Sequence, residues 1–159
     1  MCTSRLRRRD VLTLIGIAPV VLACTPQTEG PEEIRYGREK CQICGMIISD
    51  PAYAAEIRGG TDKALYKFDD IGDAVNWLVM QSWKDDPDIE FWVMNSENGT
   101  QWLDARLVSY KSGTMSPMAY GFAAVPAPVA GAVPYEEMKK AVIDRGLTSR
   151  CLPAEAKAS

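Results

Sequence analysis

The clearest periodicity in the chain lies just behind Asp69. Ile71, Ala74, Val75, Leu78 and Val79 stand at i, i+3, i+4, i+7 and i+8, which is one apolar face of a helix. Asp69-Asp70 in front supply a helix start, and Asp85-Asp86-Pro87 behind mark its stop. On either side the pattern shortens to strands. Residues 46–48 and 52–57 are short apolar runs split by Ser49-Asp50-Pro51, Gly59-Gly60 is a turn, and 64–68 and 89–94 are further strands. Residues 95–99 (Asn-Ser-Glu-Asn-Gly) are turn-forming. Beyond them, 102–110 and 119–125 are strand-like. Pro134 opens a second helix with Met138, Ala141, Val142 and Ile143 on its apolar side, Arg145 in its last turn and Gly146 as its stop. The expected class is α+β: two small units in tandem, strands-helix-strand and then strands-helix, divided within 95–99. Units of roughly 60 residues are marginal alone, so the two are expected to share a surface.

The first residues are an address. Arg5, Arg7, Arg8 and Arg9 precede an apolar run over 11–23, a basic segment followed by about a dozen apolar residues, as in secretory signals. The run is short of the roughly 20 residues a membrane-crossing helix needs. Arg8-Arg9-Asp10-Val11-Leu12 resembles a twin-arginine export signal, and Val21-Leu22-Ala23-Cys24 resembles a bacterial lipobox. Cleavage there would make residues 1–23 a signal peptide and leave Cys24 as a lipidated N-terminus. It would also remove four arginines and one aspartate, taking the formal net charge from −3 to −6. Residues 24–35 are then the lipidated N-terminus and a polar linker. The protein would sit on a bacterial membrane without crossing it, in an oxidising compartment. A chain of this charge gives no reason to expect nucleic-acid binding.

There is no histidine. That removes Ser-His-Asp and Cys-His nucleophiles, an imidazole proton shuttle, and every His-bearing metal site. Sulfur is what remains for soft chemistry. Cys2 leaves with the signal and Cys24 carries lipid, so the free thiols are Cys41, Cys44 and Cys151.

Two clusters stand out, Cys41-Gln42-Ile43-Cys44-Gly45-Met46 and Met115-Ser116-Pro117-Met118-Ala119-Tyr120-Gly121-Phe122. The Cys-x-x-Cys admits four readings. A thioredoxin-type redox pair wants its first thiol at a helix N-terminus, and Gly45, Ile47-Ile48 and Pro51 argue against a helix there. A zinc half-site lacks its other half, with no histidine and no second Cys pair. A structural disulfide would close a very small loop and add little stability. A soft-metal site suits the residues, since thiolate and thioether ligands select Cu(I). Cys44 and Met46 flank one glycine, so in an extended segment both side chains point the same way. Further donors come from the second cluster, where Met115 and Met118 lie in a turn-forming segment expected at the surface. Met80, Met94 and Met138 read as core fillers. Asp69-Asp70 is a helix start and Asp85-Asp86 a solvated loop, so the acidic residues offer no rival metal site.

Taken together, the lipoprotein signal and these motifs resemble the NosL family, lipoproteins encoded with bacterial nitrous oxide reductase. The most specific pieces are Cys44-Gly45-Met46-Ile47, Phe68-Asp69-Asp70, Trp102-Leu103-Asp104-Ala105 and Pro117-Met118-Ala119-Tyr120-Gly121-Phe122-Ala123-Ala124. The resemblance spans about residues 36–146. It implies two similar ββαβ units, here 36–97 and 98–150, followed by a tail over 151–159. It also implies a periplasmic Cu(I) chaperone, not an enzyme. Such a chaperone would serve copper-transfer partners in the assembly of the nitrous oxide reductase copper-sulfide centre. Cys44 and Met46 fall on the Cys-Gly-Met motif and Met118 on the later Met motif, with Cys41 and Met115 as additional metal candidates. Ala119 stands where other members have glycine. Cys151 matches no motif. The competing function is a thiol-disulfide oxidoreductase using Cys41 and Cys44.

Overall fold

A computed structural model describes residues 29–147 of the chain. The expected signal segment, the expected lipidation at Cys24, Cys151 and the expected tail lie outside the described residues. The class is α+β, as expected: two antiparallel sheets and two helices. No helix among the described residues is long and apolar enough to cross a membrane.

The first sheet holds β1 (Ala55–Gly59), β2 (Ala64–Phe68), β3 (Glu90–Met94) and β4 (Trp102–Asp104) in the order β2-β1-β3-β4. Helix α1 (Ile71–Val79) connects β2 to β3. The second sheet holds β5 (Ser109–Ser112), β6 (Phe122–Val125) and β7 (Ala132–Pro134) in the order β6-β5-β7, and β7 leads into α2 (Tyr135–Arg145). Register places Ile57 beside Tyr66 and Phe91, and Ala55 beside Phe68 and Val93. This face packs on Ile71, Ala74, Val75 and Leu78 of α1, so the helical stripe is buried as its period requires. The core continues without a break through Tyr110, Phe122, Tyr135, Met138 and Val142 of the second unit. Tyr135 meets Phe91 edge-on, with ring centroids 6.1 Å apart. The units therefore share one core, which offsets the small size of each.

Several boundaries differ from the sequence expectation. Residues 46–48 form no strand; Ile47 makes a single bridge to Lys40. Residues 51–53 are a 3-10 turn capped by Asp50. The 95–99 turn closes the β3–β4 hairpin, so the first sheet runs on to Asp104, past the expected division of the chain. Turn chemistry marks a hairpin as readily as a boundary. The expected strand 102–110 breaks instead at Asp104, whose carboxylate accepts from the Arg106 N–H, and the chain crosses to the second sheet. The second unit runs β5-β6-β7-α2, not ββαβ, because the short edge strand β7 is hidden in a stretch rich in Pro, Ala and Gly. Met94 and Met138 are core residues as expected, but Met80 caps the C-terminus of α1 and is 56% exposed.

The expected linker is also shorter. On the far face of the first sheet, the Gly30 N–H donates to Glu90 and the Glu32 N–H to Glu56, while Arg58 donates to the Gly30 carbonyl and pairs with Glu32. Residues 30–34 are thus a cover for the sheet rather than a spacer. Beneath it, Glu56 is fully buried, and its Oε1 has no hydrogen-bond partner, Lys67 Nζ standing 3.8 Å away. Burial pushes its carboxyl up from 4.5 to about 7, against the opposing pull of the Glu32 N–H and Lys67. A carboxyl raised in the folded state binds its proton more tightly there than in the unfolded chain. Its contribution is therefore fully present below pH 4.5 and is lost as pH rises to about 7. We expect Glu56→Gln to remove a fall of about 3 kcal/mol across that interval. Urea midpoints of both proteins at pH 5 and pH 8 measure it, and parallel pH profiles would contradict it.

Candidate metal centre

The Cys41–Met46 loop is built by its backbone. The Cys41 N–H donates to the Met46 carbonyl at 2.8 Å, and the Gly45 N–H donates to the Cys41 carbonyl at 3.0 Å. Gly45 closes the turn at φ +70°, a conformation that favours a residue without Cβ. The segment is therefore not extended, and the expectation that Cys44 and Met46 project to one side of a strand does not hold. A bond from the Gln42 N–H to the Lys67 carbonyl pins the loop to the end of β2, and one from the Ser49 N–H to Asp69 fixes its return. Cys41 opens no helix, so the feature that lowers the first thiol's pKa in thioredoxin-type pairs is missing.

Packing turns the Cys41 thiol inward, where it donates to the Asp73 carboxylate at 3.4 Å. The two sulfurs and one Asp73 oxygen all lie within 4.8 Å of one another. Both thiols are free. The Cys41 thiol is held well above its ordinary value by its hydrogen bond with Cys44 and by burial, against N–H groups of Cys44, Asp69 and Ile43 that favour its charged form. A metal ion would displace that proton and collect three donors already gathered.

Asp73 is the residue the sequence did not flag. It lies on the side of α1 opposite the apolar stripe, where a carboxylate normally faces solvent. In the fold that side is covered too, and every residue from Ile71 to Leu78 is buried. The Cys41 loop covers Asp73, and Tyr120 covers Gly72. The only sequence signal was an acidic residue in a first helical turn, which ordinary dipole preference also explains. Asp73 adds one oxygen donor to the two sulfurs, where the sequence offered neither a histidine nor a second Cys pair.

The second cluster reaches the same helix end. Asp70, the N-cap of α1, accepts from the Gly72 N–H through Oδ1 and from the Met118 N–H through Oδ2 at 3.0 Å. It also accepts from the Ser116 hydroxyl. Burial raises the Asp70 carboxyl above its ordinary value, opposed by these donors, and raises that of Asp69, opposed by the N–H groups of Ser49 and Asp50. The loop is surface-facing at Met115, which is 94% exposed, but Met118 is fully buried. The expectation of a surface Met118 fails because Asp70 and Tyr120 draw its backbone onto α1. The first turn of α1 thus joins the two sulfur clusters: Asp73 meets Cys41, and Asp70 meets Met118. Met46 is 37% exposed.

Ala119 adopts φ +63°, with the Arg145 guanidinium donating to its carbonyl. An L-residue held left-handed costs about 1–2 kcal/mol, whereas glycine there loses only about 0.4–1 kcal/mol through the unfolded chain. Ala119→Gly is accordingly expected to stabilise the fold by about 0.5–1 kcal/mol in urea unfolding. A measured loss would mean that the methyl group makes packing contacts worth more than the strain.

No protein-family model matches the chain, and neither does any curated protein at the threshold of significance. Among solved structures the chain is similar to the crystal structure of the copper chaperone NosL from Shewanella denitrificans, at 20% sequence identity over 76% of this chain and 89% of that one, with a TM-score of 0.45.

Proposed function

We propose that this protein is a Cu(I) carrier, binding the ion reversibly and handing it on without catalysis. The observation that carries the reading is the convergence of the Cys41 and Cys44 sulfurs with Asp73 within 4.8 Å, in a loop that ends at the exposed Met46. Two thiolates, with the Met46 thioether two residues further along the chain, form a donor set that prefers Cu(I) to harder ions. Met118, held at the same helix end, is the reserve thioether, and exposed Met115 faces a partner. In the fuller reading, Cys24 carries lipid and tethers the domain to a bacterial membrane on the periplasmic side. The copper then passes to the maturation system of the nitrous oxide reductase copper-sulfide centre.

The test is anaerobic Cu(I) titration of the domain against a competing chelator, read by mass spectrometry. One equivalent taken up, and lost on alkylating the thiols, is the expected result. Absence of uptake overturns the proposal. Catalytic reduction of a test disulfide by the metal-free protein would favour the oxidoreductase instead.

A further inference from the structure

The two thiols of the Cys41–Cys44 pair are not equivalent. Cys41 is 2% exposed and belongs to the hydrophobic core. Its sulfur contacts Asp73 and is faced by the backbone N–H groups of Ile43, Cys44 and Asp69. Its own backbone is held at both ends, N–H to Met46 and carbonyl from Gly45. The held backbone, the Asp73 contact and the surrounding core keep this sulfur in place. Cys44 is half-buried, and the next residue is Gly45, around which a Cβ would meet nothing within 4 Å. Met46 and Ile47, the next two side chains, are exposed. An approaching group reaches the pair from the Cys44 side, while Asp73 and the core close the other.

Resting on the copper-carrier reading, we propose that the thiols have divided roles: Cys41 is the retained ligand, and Cys44, with Met46 beside it, is the edge through which the ion is exchanged. The partner is one that presents a soft donor on a projecting side chain, a thiolate, thioether or imidazole, able to enter the open space at Gly45. In the exchange, a donor–copper bond forms as the Cys44 sulfur–copper bond breaks, and the released thiolate takes a proton from solvent. Copper stays Cu(I), and no electron changes hands. Cys41 lets go last, once the incoming group has supplied a second donor. This order keeps the ion from ever being released free.

The roles separate in two measurements on the full chain. In metal-free reduced protein, iodoacetamide is expected to modify Cys44 about tenfold or more faster than Cys41, as located by mass spectrometry. In the Cu(I)-loaded protein, transfer to a chromogenic Cu(I) chelator is followed for wild type, Cys44→Ala and Cys41→Ala. Cys44→Ala is expected to keep one Cu(I) but release it about tenfold faster, with Cys41→Ala holding it about tenfold more weakly still. Should Cys41→Ala fail to fold, protein alkylated only at Cys44 replaces it and is expected still to bind one Cu(I). Faster alkylation of Cys41, tighter retention by Cys41→Ala, or loss of all binding on Cys44 alkylation overturns the division. Absence of uptake by wild type removes the copper-carrier reading itself, a different result from wild-type uptake with the roles reversed.

Discussion

Asp70→Ala is expected to destabilise the protein by about 3–5 kcal/mol, from a lost N-cap worth about 1 kcal/mol and stranded donors costing about 1–3 kcal/mol each. The carboxylate is fully buried and accepts from Gly72, Met118 and Ser116 together. Alanine leaves the Met118 N–H and the Ser116 hydroxyl without that acceptor inside the fold. Domains of this kind are stable by about 5–15 kcal/mol, so the loss is a large part of the total. Urea unfolding measures it, and a cost below about 1 kcal/mol would show that the loop holds its place without Asp70. Asp70→Asn keeps one acceptor oxygen, so its cost should be smaller. A second consequence is local. With its N–H released, Met118 is expected to gain solvent access in the alanine variant and to oxidise with peroxide, while it stays protected in wild type.

Gly72→Ala is expected to cost about 2 kcal/mol or more, although glycine-to-alanine in a helix normally gains about 1 kcal/mol. The added methyl would fall 2.1 Å from Tyr120 Cγ, 2.3 Å from Cδ2 and 2.6 Å from Cβ. These are the root of the side chain rather than its flexible end, and Tyr120 is itself buried. Relief requires the whole Met118 loop to lift from α1. Tyr120→Ala alone leaves a cavity and is also destabilising. The two changes should be strongly non-additive, since each removes one half of the same contact. The double variant is expected to be more stable than the sum of the single losses implies. A stabilised Gly72→Ala would mean that Tyr120 does not sit on the helix.

Both variants strike the first turn of α1, and that turn is where sequence and structure part. The apolar stripe from Ile71 to Val79, the β strands beside it and the α+β class were legible, because burial against one sheet imposes a period on consecutive residues. The same holds for Met94 and Met138 as core. The break at Asp104 was not legible, since 102–110 is strand-like throughout and only pairing partners divide it between two sheets. Nor was β7, which is three residues long and ends in proline. The cover formed by residues 30–34 was also hidden, because its Gly, Pro and Glu content is that of a linker and its partners lie on β1 and β3.

At the candidate site the division runs the same way. Local covalent order determined which donors stand together: Cys41 and Cys44 three residues apart, Met46 beyond one glycine, Met118 after a proline, and no imidazole anywhere. Periodicity determined the helix on which they would converge. Tertiary structure alone decided that the helix would be covered on its polar side as well. That cover turns Asp73 from a solvated charge into a partner of Cys41, and buries Met118 while leaving Met115 in solvent. The reason is physical. A helical period reports only the face that meets the first neighbour, whereas a second layer of loops is placed by single hydrogen bonds and close contacts, such as Asp70 with Met118 and Gly72 with Tyr120. Those contacts join residues nearly fifty positions apart and leave no repeating mark on the sequence.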